Sequence, residues 1–359
     1  MKSNPSFTKT PRELGFSMPA EWRAHEAIWL AWPHDPTTFT SGVKRVEQTY
    51  VQIIKHLHQD ENINLFVRDT EMRKEVAELL ESNKIDLTKV RFFEFGYADV
   101  WFRDYGPIFV KNKNRELAMI NWIFNSWGEK YEELLKDKQI PQIINETMHL
   151  PCFKPGIVLE GGSIDVNGKG TLLTTEQCLL NKNRNPQLDK EEIEKYLADF
   201  LGVSHIIWLK EGIVGDDTDG HVDDLARFVA HSTVVCAYED TDKENNRALR
   251  KNYEQLCKST DQNGRKLSIV KLPMPGKVTY DSSRLPASYT NFYIGNRKVL
   301  VPTFDNENDK VALSTLQKLF PKREVVGINC LDLICGFGAI HCISQQQPKS
   351  NRHHLKHAQ

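Results

Sequence analysis

Apolar and polar positions along the chain switch repeatedly between two periods. Val46 to Leu57 carries Tyr50, Ile53 and Leu57 at helical spacing, and Asn64-Leu65-Phe66-Val67 then reads as a short strand. Met72 to Leu80 predicts a second helix and Val90 to Phe93 a strand. Ile108-Phe109-Val110 and Leu117 to Phe124 predict a strand pair about the polar turn Lys111-Asn112-Lys113-Asn114. The same order recurs: strand Gly170 to Thr174, helix Lys190 to Phe200, strand Ile206 to Leu209. Val234 to Ala237 precedes a helix from Asn245 to Leu256 and a strand from Leu267 to Val270. Last, Phe292 to Ile294 pairs with Val299 to Val301, before a helix from Asp309 to Leu319 and a strand from Val325 to Ile328. The unit is strand, strand, helix, strand, repeating about every 80 residues without a short sequence repeat. This pattern predicts an α/β protein built of several small modules around one core rather than a single dinucleotide-binding fold. Helices would lie outside, and strand ends and loops would face a shared centre.

Composition narrows the function classes. The 359 residues are 40% apolar and 26% charged, as in ordinary globular chains. The 47 basic and 48 acidic side chains nearly cancel, and no long basic stretch supports nucleic-acid binding. No run approaches a membrane span, and no apolar leader follows Met1. The seven cysteines, at 152, 178, 236, 257, 330, 335 and 342, are scattered and odd in number, with no Cys-x-x-Cys pair. A reducing, cytoplasmic setting is expected. Residues 1–348 are expected to form one catalytic domain, and the polar stretch 349–359 a flexible tail.

Four side chains carry the candidate chemistry. Cys342 ends the run Gly336-Phe337-Gly338-Ala339-Ile340-His341-Cys342, where two glycines permit close backbone approach. A free cysteine is often just a small buried hydrophobe, and a reactive one needs its thiolate stabilised by a cation or by amides. His221 and Asp223 would share one face if the strand at Leu225 to Val229 began at Gly220. The carboxylates at 216, 217, 219, 223 and 224 could equally be a solvated turn; buried without partners they would repel one another, a cost that a guanidinium or ammonium ligand offsets. Asp104, in Trp101-Phe102-Arg103-Asp104-Tyr105-Gly106-Pro107, is either half of a local ion pair or a carboxylate able to accept two N–H bonds from a planar guanidinium, with Trp101 covering its face. Glu160, before Gly161-Gly162, is either part of a turn or a pocket carboxylate. Asp217, Asp219, His221 and Asp223 could instead hold a divalent ion, but zinc and EF-hand spacings are missing, as is a phosphate-binding loop. One thiol, one imidazole and two carboxylates suit attack on a guanidinium carbon. A guanidinium-binding module without catalysis is the rival.

The assembled motifs resemble those of the agmatine deiminase family, in the guanidine-modifying (pentein) superfamily and close to the bacterial peptidyl-arginine deiminases. The resemblance covers most of residues 15–348. It rests on the segments 18–22, 31–34, 101–107, 159–163, 178–186, 217–223, 287–293 and 340–348. It implies a five-bladed pseudo-symmetric propeller of αββαβ modules and hydrolysis of agmatine to N-carbamoylputrescine and ammonia, in putrescine formation. It further implies Cys342 as nucleophile, with a covalent amidino-thioether intermediate, and His221 as general acid/base. Asp104 and Asp223 would be the guanidinium carboxylates, and Trp101, Glu160 and Asp217 pocket residues. The implied substrate is a small cationic guanidine, with neither metal nor organic cofactor, and a homo-oligomer is plausible on the same basis. Free arginine remains the alternative substrate. Phe337 and Ala339 depart from the glycine-rich run usual in the family.

Overall fold

In a computed structural model, residues 9–351 are described. Strands β1 (His25–Ala31), β2 (Asn62–Val67) and β3 (Val90–Glu94) run parallel in one sheet. Four three-stranded sheets follow in chain order: β4 (Ile108–Lys111), β5 (Leu117–Ile120) and β6 (Cys152–Phe153); β7 (Asp165–Val166), β8 (Thr171–Thr175) and β9 (His205–Leu209); β10 (Ala226–Ala230), β11 (Thr233–Tyr238) and β12 (Ser268–Pro273); and, beyond the separate hairpin β13 (Thr279–Tyr280) and β14 (Ser283–Arg284), β15 (Tyr293–Ile294), β16 (Lys298–Thr303) and β17 (Glu324–Asn329). In each of the four, the first pair is antiparallel and the second parallel. The C-terminal strand β18 (Gln345–Pro348) supplies the same antiparallel partner to β1, so the two ends of the described chain share a sheet.

The parallel steps explain the helices. A parallel connection cannot be made by a tight turn and needs a crossover. Helices Val43–Leu57, Ile140–Met148, Lys190–Leu201, Asn246–Lys258 and Asn308–Leu319 each fill one. The helix Lys190–Leu201 shows the local logic. Asp189 and Glu192 form a reciprocal capping box, Ile193, Leu197 and Leu201 bury one face, and Gly202 ends the helix in a left-handed conformation. The strands covered by these helices read as unbroken apolar runs, such as Val299 to Val301, because both faces are buried.

The predicted helices and most predicted strands are present, with small shifts at their ends. Two expectations need correction. The strand expected to run to Phe124 stops at Ile120; Ile123 pairs with Val158 only as an isolated bridge. The strand expected to begin at Gly220 begins at Ala226, because Gly220 has φ +88° and Val222–Asp224 forms a 3-10 turn. The common-face argument for His221 and Asp223 therefore fails, although the turn still brings them near one point. Of the polar tail, Lys349 and Asn351 donate backbone hydrogen bonds to Ala24 and Arg115; residues 352–359 lie outside the described residues.

Arg227, on β10, is fully buried and ties distant elements together. Its Nε donates to Asp165 of β7 at 2.5 Å, its Nη2 to Glu21 at 2.5 Å, and its Nη1 to the Phe292 carbonyl at 2.9 Å. Removing one member of a buried pair leaves the others charged and unpaired. Arg227→Met should therefore lower stability by about 3–5 kcal/mol, read from urea unfolding. An unchanged midpoint would remove this residue from the account of the fold.

Candidate active site

Asp104 sits in the one-turn helix Phe102–Tyr105, which follows Trp101. The preceding side chain places it. Arg103 is buried and points the other way, its Nη1 donating to Gln345 Oε1 at 2.6 Å and Gln346 Oε1 at 2.7 Å, and its Nε to the His341 carbonyl at 3.2 Å. The Arg103 backbone N–H donates to the Cys342 carbonyl at 3.1 Å. One arginine thus locks the C-terminal segment against the Asp104 helix. Asn291 completes the clamp: its Oδ1 accepts from the backbone N–H groups of His341 and Cys342, at 2.9 and 3.3 Å, and its Nδ2 stands 3.1 Å from Cys342 Sγ and 3.0 Å from Asp224 Oδ1.

Gly162 marks where the groups converge. A Cβ there would stand 2.5 Å from His221 Nδ1, 2.9 Å from Asp104 Oδ1 and 3.2 Å from Asp223 Oδ2. Only glycine lets the backbone come this close, and its N–H donates to Asp104 Oδ1 at 3.0 Å. Asp104 Oδ2 accepts from Trp127 Nε1 at 3.0 Å. Asp223 Oδ2 meets His341 Nδ1 at 2.6 Å and lies 4.0 Å from Cys342 Sγ. His341 Nε2 in turn meets Glu21 Oε2 at 3.0 Å. Gly338 and Gly336 serve Trp101: a Cβ on Gly338 would be 2.4 Å from the indole, and one on Gly336 3.0 Å. The Trp101 Nε1 donates to Asp99 Oδ2 at 3.0 Å, which fixes the ring.

Burial and neighbouring charge set the protonation states. Burial pushes the Asp104 carboxyl up to about 6, against the pull of His221 and with the repulsion of Asp223 and Glu160. Burial opposes charge on His221, but Asp104, Cys178 and Asp223 outweigh it and raise the imidazole well above its ordinary range. Burial also opposes ionisation of Asp223, yet His341, His221 and Arg227 hold it below the usual carboxylate value. Burial, Asp223, Asp224 and Asp104 push the Cys342 thiol well above its ordinary value. Four polar atoms in this cluster are buried without a hydrogen-bond partner: Glu160 Oε2, Asp223 Oδ1 and both ring nitrogens of His221.

A cavity of about 720 Å³ opens onto this cluster. Cys342, Asp104, Trp101 and Asp217 line it directly, while His221, Asp223 and Glu160 are not among its lining residues. Glu160 is held from behind: its Oε1 accepts from Arg184 Nε at 2.6 Å, and Arg184 also pairs with Asp219. Asp217 accepts from the Tyr131 hydroxyl at 2.6 Å. The grouping of Asp217, Asp219, His221 and Asp223 weighed as a metal site does not form, since the two outer aspartates are engaged elsewhere. Among the described residues, the ligand-type atoms of Glu160, Cys178 and His221 do lie within 4.8 Å of one another.

Sequence reasoning gave no role to Glu21, His341, Arg227 or Asn291, and left Arg103 as a simple ion-pair residue. Each lies in or beside a motif, but nothing in spacing alone shows that a charge near residue 21 meets one near residue 341.

A model of the Porphyromonas-type peptidyl-arginine deiminase family matches residues 17–348. An agmatine deiminase from Pseudomonas syringae pv. tomato is 37% identical over 96% of this chain and 98% of its own. The chain belongs to the agmatine deiminase family. Among solved structures, the agmatine deiminase of Enterococcus faecalis superposes on this family member with a TM-score of 0.90 at 36% identity, covering 97% of this chain and 100% of the other. A cysteine-to-serine variant of the C. jejuni agmatine deiminase, solved with substrate bound, gives 0.85 at 31% identity over 94% and 97% of the two chains. The α/β architecture of several small sheets is thus that of the guanidine-modifying superfamily.

The carboxylates around His221 should keep it an imidazolium through neutral pH in nitrogen-edited NMR spectra, and Asp104→Asn should lower its titration point. A wild-type His221 titrating at the ordinary imidazole value would contradict this electrostatic picture.

Proposed function

We propose that this protein is an agmatine deiminase, hydrolysing agmatine to N-carbamoylputrescine and ammonia. The carrying observation is the cavity. At its buried end Cys342 and Asp104 meet His221 and Asp223, and its lining carries Asp35, Asp99, Asp104, Glu133, Asp217 and Asp281 but no Lys, Arg or His. A guanidinium presents five N–H donors and a positive charge, which the unpartnered oxygens of Asp223 and Glu160 can accept. Agmatine adds a second cation at its far end, where arginine adds an α-carboxylate. An acidic lining without a base favours the first and repels the second. Most of these carboxylates lie outside the acidic stretch 216–224, whose one carboxylate in the lining is Asp217. Asp216 is spent on the turn, accepting from Thr218 and Gly220.

In the mechanism, Asp104 and Asp223 hold the guanidinium by charge-assisted hydrogen bonds, with Trp101, Glu160 and Asp217 shaping the pocket. Burial and the surrounding carboxylates keep Cys342 protonated; the incoming cation offsets them, so the thiol gives its proton up to solvent as the substrate binds. The thiolate adds to the guanidinium carbon. His221 protonates one amino group of the tetrahedral adduct, which leaves as ammonia and yields the amidino-thioether. Neutral His221 then takes a proton from water as the water adds to the same carbon. Collapse expels the Cys342 thiolate, the hydroxyl proton passes to solvent where it balances the released ammonia, and the ureido product forms. Every step uses side chains present at this centre.

The architecture fits one catalytic unit ending near residue 348, with five sheets closing pseudo-symmetrically like propeller blades. The shared strand plan and the β18–β1 pairing support that reading.

Ammonia release with mass spectrometry of the product, from agmatine, arginine and a blocked arginine peptide, tests the assignment. Agmatine should be converted at least about a hundredfold more efficiently, because discrimination by charge at a buried site is worth several kcal/mol; equal conversion of arginine would overturn it. Cys342→Ala should remove turnover while leaving the fold intact, and Asp104→Asn should cost about a hundredfold or more in kcat/KM. With Asp104 near 6 in the free enzyme, its charge is lost as pH falls through that value. The kcat/KM for agmatine should therefore decline on the acid side with an apparent pKa of about 6, and Asp104→Asn should abolish that limb.

A further inference from the structure

The outer part of the same cavity has a feature that the guanidine chemistry does not use. Among the described residues, seven large apolar side chains are exposed, and just two of them are aromatic, Phe337 at 40% and Tyr280 at 38%. Both line this cavity, on segments far apart in sequence. Buried Cys342 and Asp104 form the inner end, so the two aromatic rings stand at the rim.

One ring is carried on unfavourable backbone and the other directly beside it. Phe337 has φ +70°, a left-handed conformation that glycine adopts more readily than a bulky side chain. Its neighbours Gly336 and Gly338 are pinned against Trp101, and its N–H donates to the Ile334 carbonyl at 2.8 Å, so the loop fixes where the ring points. Tyr280 precedes a two-residue hairpin turn in which Asp281 has φ +44° and Ser282 φ +64°. Such a turn favours Asn-Gly. Arg284, at the hairpin's other end, is anchored to Asp242 and Glu244. Strained backbone presenting exposed aromatic rings at a ligand cavity points to use.

We infer that Phe337 and Tyr280 form an aromatic rim that receives the distal ammonium of the substrate, with Asp281 beside it. The inference rests on the agmatine reading and specifies how chain-end selectivity arises. Ring faces attract a cation through their quadrupole, most strongly where water is partly excluded. Asp281 and Asp217, which line the same cavity, add charge of the right sign and oppose a carboxylate. These two rings make no contact with the reacting guanidinium; they are specificity residues.

The test compares agmatine with pentylguanidine, in which a methyl group replaces the ammonium. KM and kcat are measured for agmatine, and the inhibition constant for pentylguanidine, in wild type, Phe337→Leu, Tyr280→Leu and Phe337→Tyr. Each leucine variant should raise the agmatine KM by about two- to fivefold at unchanged kcat, leave pentylguanidine binding unchanged, and keep the wild-type unfolding temperature. Phe337→Tyr should retain the wild-type KM. Equal weakening of both ligands, or of neither, in an active enzyme overturns the rim while leaving the deiminase assignment in place. Failure of the wild type to release ammonia from agmatine overturns that assignment and the rim together.

Discussion

Charge buried at the centre of the molecule is the constraint on which the rest depends. Glu21, Asp165, Arg227, Arg103, His341, Asp223, Asp104 and His221 are all withdrawn from water. Each is expensive alone and tolerable only with its partners. The partners come from opposite ends of the chain. Glu21 joins Arg227 and His341, His341 reaches Asp223, and Arg103 holds Gln345 and Gln346. The sheets must therefore meet in one arrangement for the network to be paired. The β18–β1 pairing and the charge network tie the same two ends of the described chain together, one through backbone and one through side chains.

That network is paired apart from Arg103 Nη2 and the region where Cys342 faces the cavity. There, Asp104 and Asp223 stand against one imidazole, and Asp223 and Glu160 keep unpartnered oxygens. The excess negative charge has two effects. Together with burial, the larger cause, it pushes the Cys342 thiol well above its ordinary value. It also creates the affinity for a cation that reverses this state. In the proposed mechanism, binding and activation of the nucleophile are in this way one electrostatic event, and a neutral molecule of similar shape would trigger neither.

Most of the strand and helix pattern was legible because most crossover helices have an apolar stripe and most interior strands an apolar run; β1 and the helix Ile140–Met148 carry that signature and still went unread. Other elements escaped because they lack it. β18 is Gln-Gln-Gln-Pro, polar in sequence, and is a strand because β1 and Arg103 supply its partners. The turn at Val222–Asp224 broke a period-two reading because Gly220 takes a left-handed conformation that alternation cannot reveal. Cys342, His221, Asp104 and Asp223 were nameable from residue chemistry and motif resemblance. The convergence of His221, Asp104 and Asp223 on Gly162 was not, since three segments of chain meet there. Nor was the acidity of the cavity, which comes from Asp35, Glu133 and Asp281 rather than mainly from the conspicuous aspartate stretch.

The most direct measurement of the central claim is the ultraviolet thiolate absorbance of the wild type minus that of Cys342→Ala, across pH, with and without an unreactive guanidinium ligand. The account predicts no thiolate through neutral pH in the free protein and its appearance when the cation binds. A Cys342 already ionised at neutral pH without ligand, or one that stays protonated with the guanidinium bound, would contradict the coupling of charge, binding and nucleophile activation.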